Sequence, residues 1–222
     1  MQSNMRFETA SHSSAIEINK VLRNTYMLLS MTLAFSAVTA GISMAMNLSH
    51  MAALVMTLVA FGLLFVVHKQ ADKANGIFWI FAFTGLMGAS LGPILNVYAS
   101  MPNGGSLIMQ ALGGTALIFF ALSGYALTTK KDFSFMGGFL MVGLIVVLVA
   151  GIANIFFAVP AVSLAISAAV IMIMSGLILF DTSRIIHGGE TNYIRATVSL
   201  YLNIYNIFTS LLHLLGAFNS DD

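Results

Sequence analysis

Uncharged apolar stretches long enough to cross a bilayer repeat along almost the whole chain. A helix needs about 20 apolar residues to span the hydrocarbon core. By that ruler seven spans are expected: Leu22–Met46, Met51–Val67, Gly76–Ala99, Ser106–Thr128, Ser134–Phe157, Ala161–Thr182 and Tyr193–Gly216. The first is too long for the apolar core of a signal peptide, so it reads as a retained span. Residues Met1–Asn19 are polar and of mixed charge, and cannot bury enough apolar surface to fold alone. They predict a flexible tail. Three segments result: the tail at 1–19, a transmembrane domain at 20–218, and a short C-terminal tail at 219–222.

Charge adds orientation. Arg6, Lys20, Arg23, Lys69, Lys73, Lys130, Lys131, Arg184 and Arg195 fall in or beside alternate connections, whereas Asn47–His50, Ser100–Gly105 and Phe157–Pro160 carry no Lys or Arg. Lys and Arg mark the cytoplasmic side of a membrane. An odd number of spans then places the N-terminus in the cytoplasm and the C-terminus outside. Treating Met51–Val67 as re-entrant would put Lys69 and Lys73 on the wrong side. Composition agrees, with 59% hydrophobic and 8% charged residues, against about a quarter charged in a soluble domain. A net charge of +1 gives no reason to expect a nucleic-acid partner, and the absence of Cys excludes disulfides and cysteine nucleophiles.

Polar residues inside apolar helices turn away from lipid. In the seventh span Ser199, Asn203, Asn206, Ser210 and His213 follow a 4-3-4-3 spacing, which aligns them on one face. The stripe runs roughly 20 Å at ~1.5 Å per residue. Tyr201 and Tyr205 add polar tips on a neighbouring face, so the seventh helix is expected to be central. The first span carries Thr32, Ser36, Thr39 and Ser43 at similar spacing; the third carries Gly85, Gly88, Gly92 and Asn96, with Pro93 set to kink it. Two readings of these stripes are open: close interhelical packing, or a wet pathway beside the seventh helix.

Asp181 is an acidic residue inside a span, near the basic end of the sixth. A carboxylate in a membrane pairs with something or serves a function. Arg184, three residues on, is an ordinary helix neighbour for it. The alternative is a proton- or cation-sensitive group facing the bundle. His213 reads as a buried, hydrogen-bonded histidine or as a proton relay. The remaining histidines lack paired spacing, so no metal site is expected. No nucleophile–base pair and no phosphate-binding loop is visible, and neither an enzyme nor a cofactor is expected. Gly188-Gly189 reads as the stop of the sixth helix, with Thr191 or Asn192 capping the next.

The stretch FDTSRIIHGGETNYIRATVSLYLNIYNIFTSLLHLLG resembles the signature of the Bax-inhibitor-one (transmembrane Bax inhibitor motif) family, as do LGPILN around Pro93 and KKDFSFMGG from Lys130. VLRNTYMLLSMTLAFSAVTA and the HGGETNYIRATVSLY loop are similar to its proteobacterial branch. The resemblance implies an all-α membrane fold of seven helices, the seventh wrapped by the other six. For the broader family it implies a pH-sensitive calcium leak governed by two aspartates. Asp181 matches the first. The second, within the pattern LYLDxIN, is Asn203 here, in Leu200-Tyr201-Leu202-Asn203-Ile204-Tyr205-Asn206. An amide cannot share a titrating proton as a second carboxylate would. A leak would use Asp181 as sensor, with Asn203, Asn206, Arg184 and His213 around it. The proteobacterial branch implies instead an inner-membrane protein that binds and slows the membrane AAA protease FtsH, with HflK/HflC as companions, and is itself a slow substrate. The tail, with Met1, Arg6, Glu8 and Glu17, is then the handle the protease grips.

Overall fold

The computed structural model describes residues 2–219, with side chains described from Ile16 onward. Among them the fold is helical throughout: α1 (Gln2–Ala45), α2 (His50–Gln70), α3 (Gly76–Ala99), α4 (Gly104–Thr129), a 3-10 turn (Ser134–Met136), α5 (Gly137–Phe157), α6 (Pro160–Ile186) and α7 (Tyr193–Asn219). Seven helices are long and apolar enough to cross a membrane, the part of α1 concerned being Ile16–Ala45. The sequence-expected spans match them within a few residues. Of the expected tail, Met1 and the side chains of Arg6 and Glu8 lie outside what the structure describes; Glu17 is exposed on α1.

Helix ends follow local chemistry. The Ser49 side chain accepts the Ala52 N–H at the start of α2. Pro160 sits in the first turn of α6, where its missing N–H costs no helix bond. Asn192 Oδ1 accepts the N–H groups of Ile194 and Arg195 at 2.9 and 3.1 Å, capping α7. Helix α6 runs four residues beyond the expected Thr182. It stops at Gly188, whose φ of +73° suits glycine, with Gly189 N–H returning to the Arg184 carbonyl at 2.8 Å. Arg184 therefore stands in the last turn of α6. Helix α3 continues through Pro93 as one element.

The most buried spans are α3 and α7, with 56% and 50% of their apolar windows buried; α2 and α5 have 11% each. Helix α7 packs on α1, α2, α3, α4 and α6 but not on α5. Wrapping by all six partners thus does not extend to α5, which lies outside against α6. Leu140 is the residue of α5 that is buried. Its polar Asn154 is engaged at its own end of the bundle, donating to Ser163 Oγ at 2.7 Å and accepting Val159 N–H at 3.1 Å. With no polar stripe to turn inward, α5 loses nothing by facing lipid.

The tightest crossing is α1 on α3. A Cβ at Gly88 would overlap the Ser36 carbonyl oxygen and the Thr39 hydroxyl, and a Cβ at Gly92 would overlap Ser43. The glycines let the two backbones meet. The main core joins Leu29 of α1, Phe83 and Met87 of α3, Phe119 of α4, Ile178 of α6 and Tyr201 and Ile207 of α7. A second cluster, including Leu91, Leu95, Phe208 and Leu212, fills the end away from the basic connections.

Leucine at Gly88 or Gly92 should lower stability by about 1–3 kcal/mol or more, since neither backbone can move aside without unpacking the core. At Gly62 a Cβ meets nothing within 4 Å, and alanine there should be neutral or stabilising by up to about 1 kcal/mol. Thermal unfolding of the purified variants in detergent checks this contrast. Equal midpoints for all of them would contradict it.

Candidate functional site

Helices α6 and α7 form an antiparallel hairpin that carries all five candidate membrane residues, Asp181 and Arg184 on α6 and Asn203, Asn206 and His213 on α7. Near the basic end, Asn203 Nδ2 donates to Asp181 Oδ2 at 2.8 Å. Asn203 is 4% exposed, while Asp181 is half-buried. Toward the other end, His213 Nδ1 and Ser167 Oγ lie 2.8 Å apart. Asn206 turns back on its own helix, donating to the Leu202 carbonyl at 2.8 Å. Between the two interhelical pairs, Met174 and Ile178 of α6 join Ile204 and Ile207 of α7 in the main core. The polar line that the spacing drew along α7 is thus broken by packed hydrocarbon.

Arg184 does not take Asp181 as its ion-pair partner. Its guanidinium donates to the Gly189 carbonyl at 3.1 Å, lies 3.9 Å from a Glu190 carboxylate oxygen, and sits 5.6 Å from the centre of the Phe180 ring. The left-handed turn at Gly188 is what brings Gly189 and Glu190 back alongside the helix end. Without that reversal in view, the three-residue spacing to Asp181 is the nearer signal in the sequence.

A second polar face of α7 points the opposite way, into α1 and α3. Tyr201 OH bonds Ser36 Oγ at 2.7 Å and donates to the Thr84 carbonyl at 3.3 Å. Tyr205 OH meets Ser90 Oγ at 3.3 Å. Thr197 donates to the carbonyl of Thr25 at 3.3 Å. Tyrosines 201 and 205 were legible as polar tips; their partners were not, because each lies more than a hundred residues away in sequence. Likewise unforeseen is the lock at the basic end. Asn192 Nδ2 donates to the Ala71 carbonyl at 3.0 Å and to Asp72 Oδ1 at 2.8 Å, and Arg195 pairs with Asp72. The short α2–α3 connection is thereby fastened to the start of α7. On the same side, Phe133 N–H donates to Ser183 Oγ at 3.0 Å, and Ser183 donates to the Lys131 carbonyl at 3.2 Å. These bonds tie the chain after α4 to the end of α6. The Asp132 carboxyl beside them is held below the usual carboxylate range by hydrogen bonding to Ser134.

The Asp181–Asn203 bond is a single charge-assisted contact between neighbouring helices, a positioning device that needs no second carboxylate. Asp181→Ala should cost about 1–3 kcal/mol by leaving the buried Asn203 amide without its acceptor, whereas Asp181→Asn, which keeps a carbonyl oxygen there, should cost less. Unfolding midpoints of the two variants separate the cases; equal losses would mean that the bond does not hold the hairpin.

Comparison with known proteins fits this architecture. A family model described as "Inhibitor of apoptosis-promoting Bax1" matches residues 18–220. A protein of Escherichia coli K12 named "Modulator of FtsH protease YccA" is 57% identical over 97% of this chain and 99% of its own. A second E. coli strain has a relative at the same identity and coverage, named "Inner membrane protein YccA". An "Uncharacterized membrane protein" of Vibrio cholerae is 54% identical over the full length of both chains. With the family signature matched from α1 to the end of α7, and seven apolar helices beneath it, the chain belongs to the Bax-inhibitor-one family of multi-pass membrane proteins.

Proposed function

We propose that this protein is an inner-membrane partner of FtsH that binds the protease and slows its action on other membrane proteins. The observation that carries the reading is the 57% identity, over 97% of the chain, to the E. coli protein named as a modulator of that protease. The bundle suits such a role. It acts by being bound and not by performing chemistry, so it is no enzyme. Its apolar outer helices make it slow to remove from lipid, since every span pulled into water exposes hydrocarbon at about 25 cal/mol per Å2. A substrate that engages the unfoldase and resists extraction occupies it.

The polar run Met1–Asn19 is the handle in this mechanism. The basic connections orient it into the cytoplasm, together with the end of the bundle that carries the Asp72–Arg195–Asn192 lock. HflK/HflC, as companions of the protease, would meet the same assembly. A calcium leak governed by paired carboxylates is the weaker reading: Asp181 is bonded to an amide, and Met174 and Ile178 farther along α6 belong to the hydrophobic core.

Raised levels of this protein should lengthen the half-life of an unrelated membrane substrate of FtsH several-fold in pulse–chase experiments. No change, with the protein verified in the membrane, would sink the proposal. Separately, removal of residues 2–19 should prolong the protein's own lifetime in cells with active FtsH and leave it unchanged in cells without the protease. A lifetime unaffected by the deletion in both would show that the handle lies elsewhere.

A further inference from the structure

Helices α1 and α4 both lean on α7, yet no Cα of one comes within 8 Å of a Cα of the other. Tyr26 bridges them at the basic end, through the Ser123 hydroxyl and the Phe119 ring. Beyond that crossbar the gap forms a groove of about 500 Å3, open to the side. Leu33 and Ala37 form one wall, Leu112 and Ala116 the other, and Ile204 and Phe208 the floor. Along α1 it extends from Tyr26 to Met44, a length of ~27 Å at ~1.5 Å per residue. Within a seven-span bundle that places it at the depth of the bilayer hydrocarbon.

The chemistry of the lining defines what fits. Six polar side chains border the groove, and each is already engaged within the protein. Tyr26 holds Ser123, Ser30 donates to the Tyr26 carbonyl, and Ser36 holds Tyr201. Thr115 donates to the Ala111 carbonyl and Tyr205 meets Ser90. The groove therefore presents mostly hydrocarbon, and each hydroxyl on its walls already has a hydrogen-bond partner within the protein. A chain one methylene wide fits.

We propose that this groove is a binding site for one acyl chain of a membrane phospholipid, which completes the packing between α1 and α4. An unfilled apolar gap forfeits dispersion contacts on every wall, and an acyl chain is the matching group that the bilayer supplies in excess. The protein would therefore carry a retained lipid as a structural component, distinct from the rapidly exchanging lipids around α2 and α5.

The test uses the full chain, purified in mild detergent with phosphatidylethanolamine and phosphatidylglycerol present, and native mass spectrometry. Wild type should retain one phospholipid per chain after the loosely held ones are removed. Gly41→Leu places a side chain in the groove, where a Cβ meets nothing within 4 Å. It should reduce retention about tenfold, corresponding to about two methylenes displaced from contact. Ala37→Trp blocks the same wall and should act alike, which guards against a folding defect in either variant. Val146→Trp, on the exposed face of α5, should retain lipid as wild type does. Added phospholipid should also raise the unfolding midpoint of wild type more than that of Gly41→Leu. Retention in Gly41→Leu and Ala37→Trp equal to wild type, in folded protein, would overturn the proposal. So would a wild type that keeps no phospholipid.

Discussion

Lipid offers a polar group no partner, and the arrangement of this protein follows from that constraint. Backbone groups are satisfied inside each helix. Side-chain groups have to find one another between helices, and α7 is where most of them meet. One face of α7 holds α6 through Asn203–Asp181 and His213–Ser167. Another holds α1 and α3 through Thr197, Tyr201 and Tyr205. A helix carrying polar groups on two faces has no side it can give to lipid, and so it is pressed between its neighbours. Helix α5 is the converse. It is apolar almost all round, and its place is at the rim.

Close packing follows from the same logic. The hydrophobic effect does not draw helices together in a bilayer, so contact must come from fit and from hydrogen bonds. Gly88 and Gly92 bring α3 against the Ser36–Ser43 face of α1 closely enough that a methyl group would collide. That crossing sets the position of Ser36, and Ser36 in turn receives Tyr201. Packing and polar satisfaction are one network here, with α1 as the shared member. Where α1 and α4 fail to meet, the network leaves a groove whose hydroxyls are already bonded within the protein, which gives the site its mainly apolar character.

In the proposed role, the bundle serves as an object to be held. Most of its buried polar side chains are hydrogen-bonded within the bundle, and its outward faces are rich in large hydrophobic side chains. At the basic end, the Asp72–Arg195 and Asn192 contacts and the Ser183 contacts fasten the connections to the bundle. A protein built in this way is hard to pull from a membrane, which suits the proposed engagement of a membrane protease.

The seven spans, their ends and the polar faces of α7 could be read from the amino-acid sequence, because each rests on a short-range rule. Hydrocarbon thickness sets span length, Gly188 marks a helix end by its backbone freedom and Asn192 by its side-chain cap, and a 4-3 spacing aligns residues on one face. Gly88 and Gly92 were legible as a point of close approach, though not what they approach. The partners were decided by tertiary structure. Asp181 meets Asn203 and not Arg184, because the turn at Gly188 folds Glu190 back onto Arg184 while α7 returns alongside α6. The exclusion of α5 from α7 and the gap between α1 and α4 depend on how whole helices share the space around α7. No local pattern encodes that competition, since it is settled by the combined shape and polarity of helices that lie far apart in the chain.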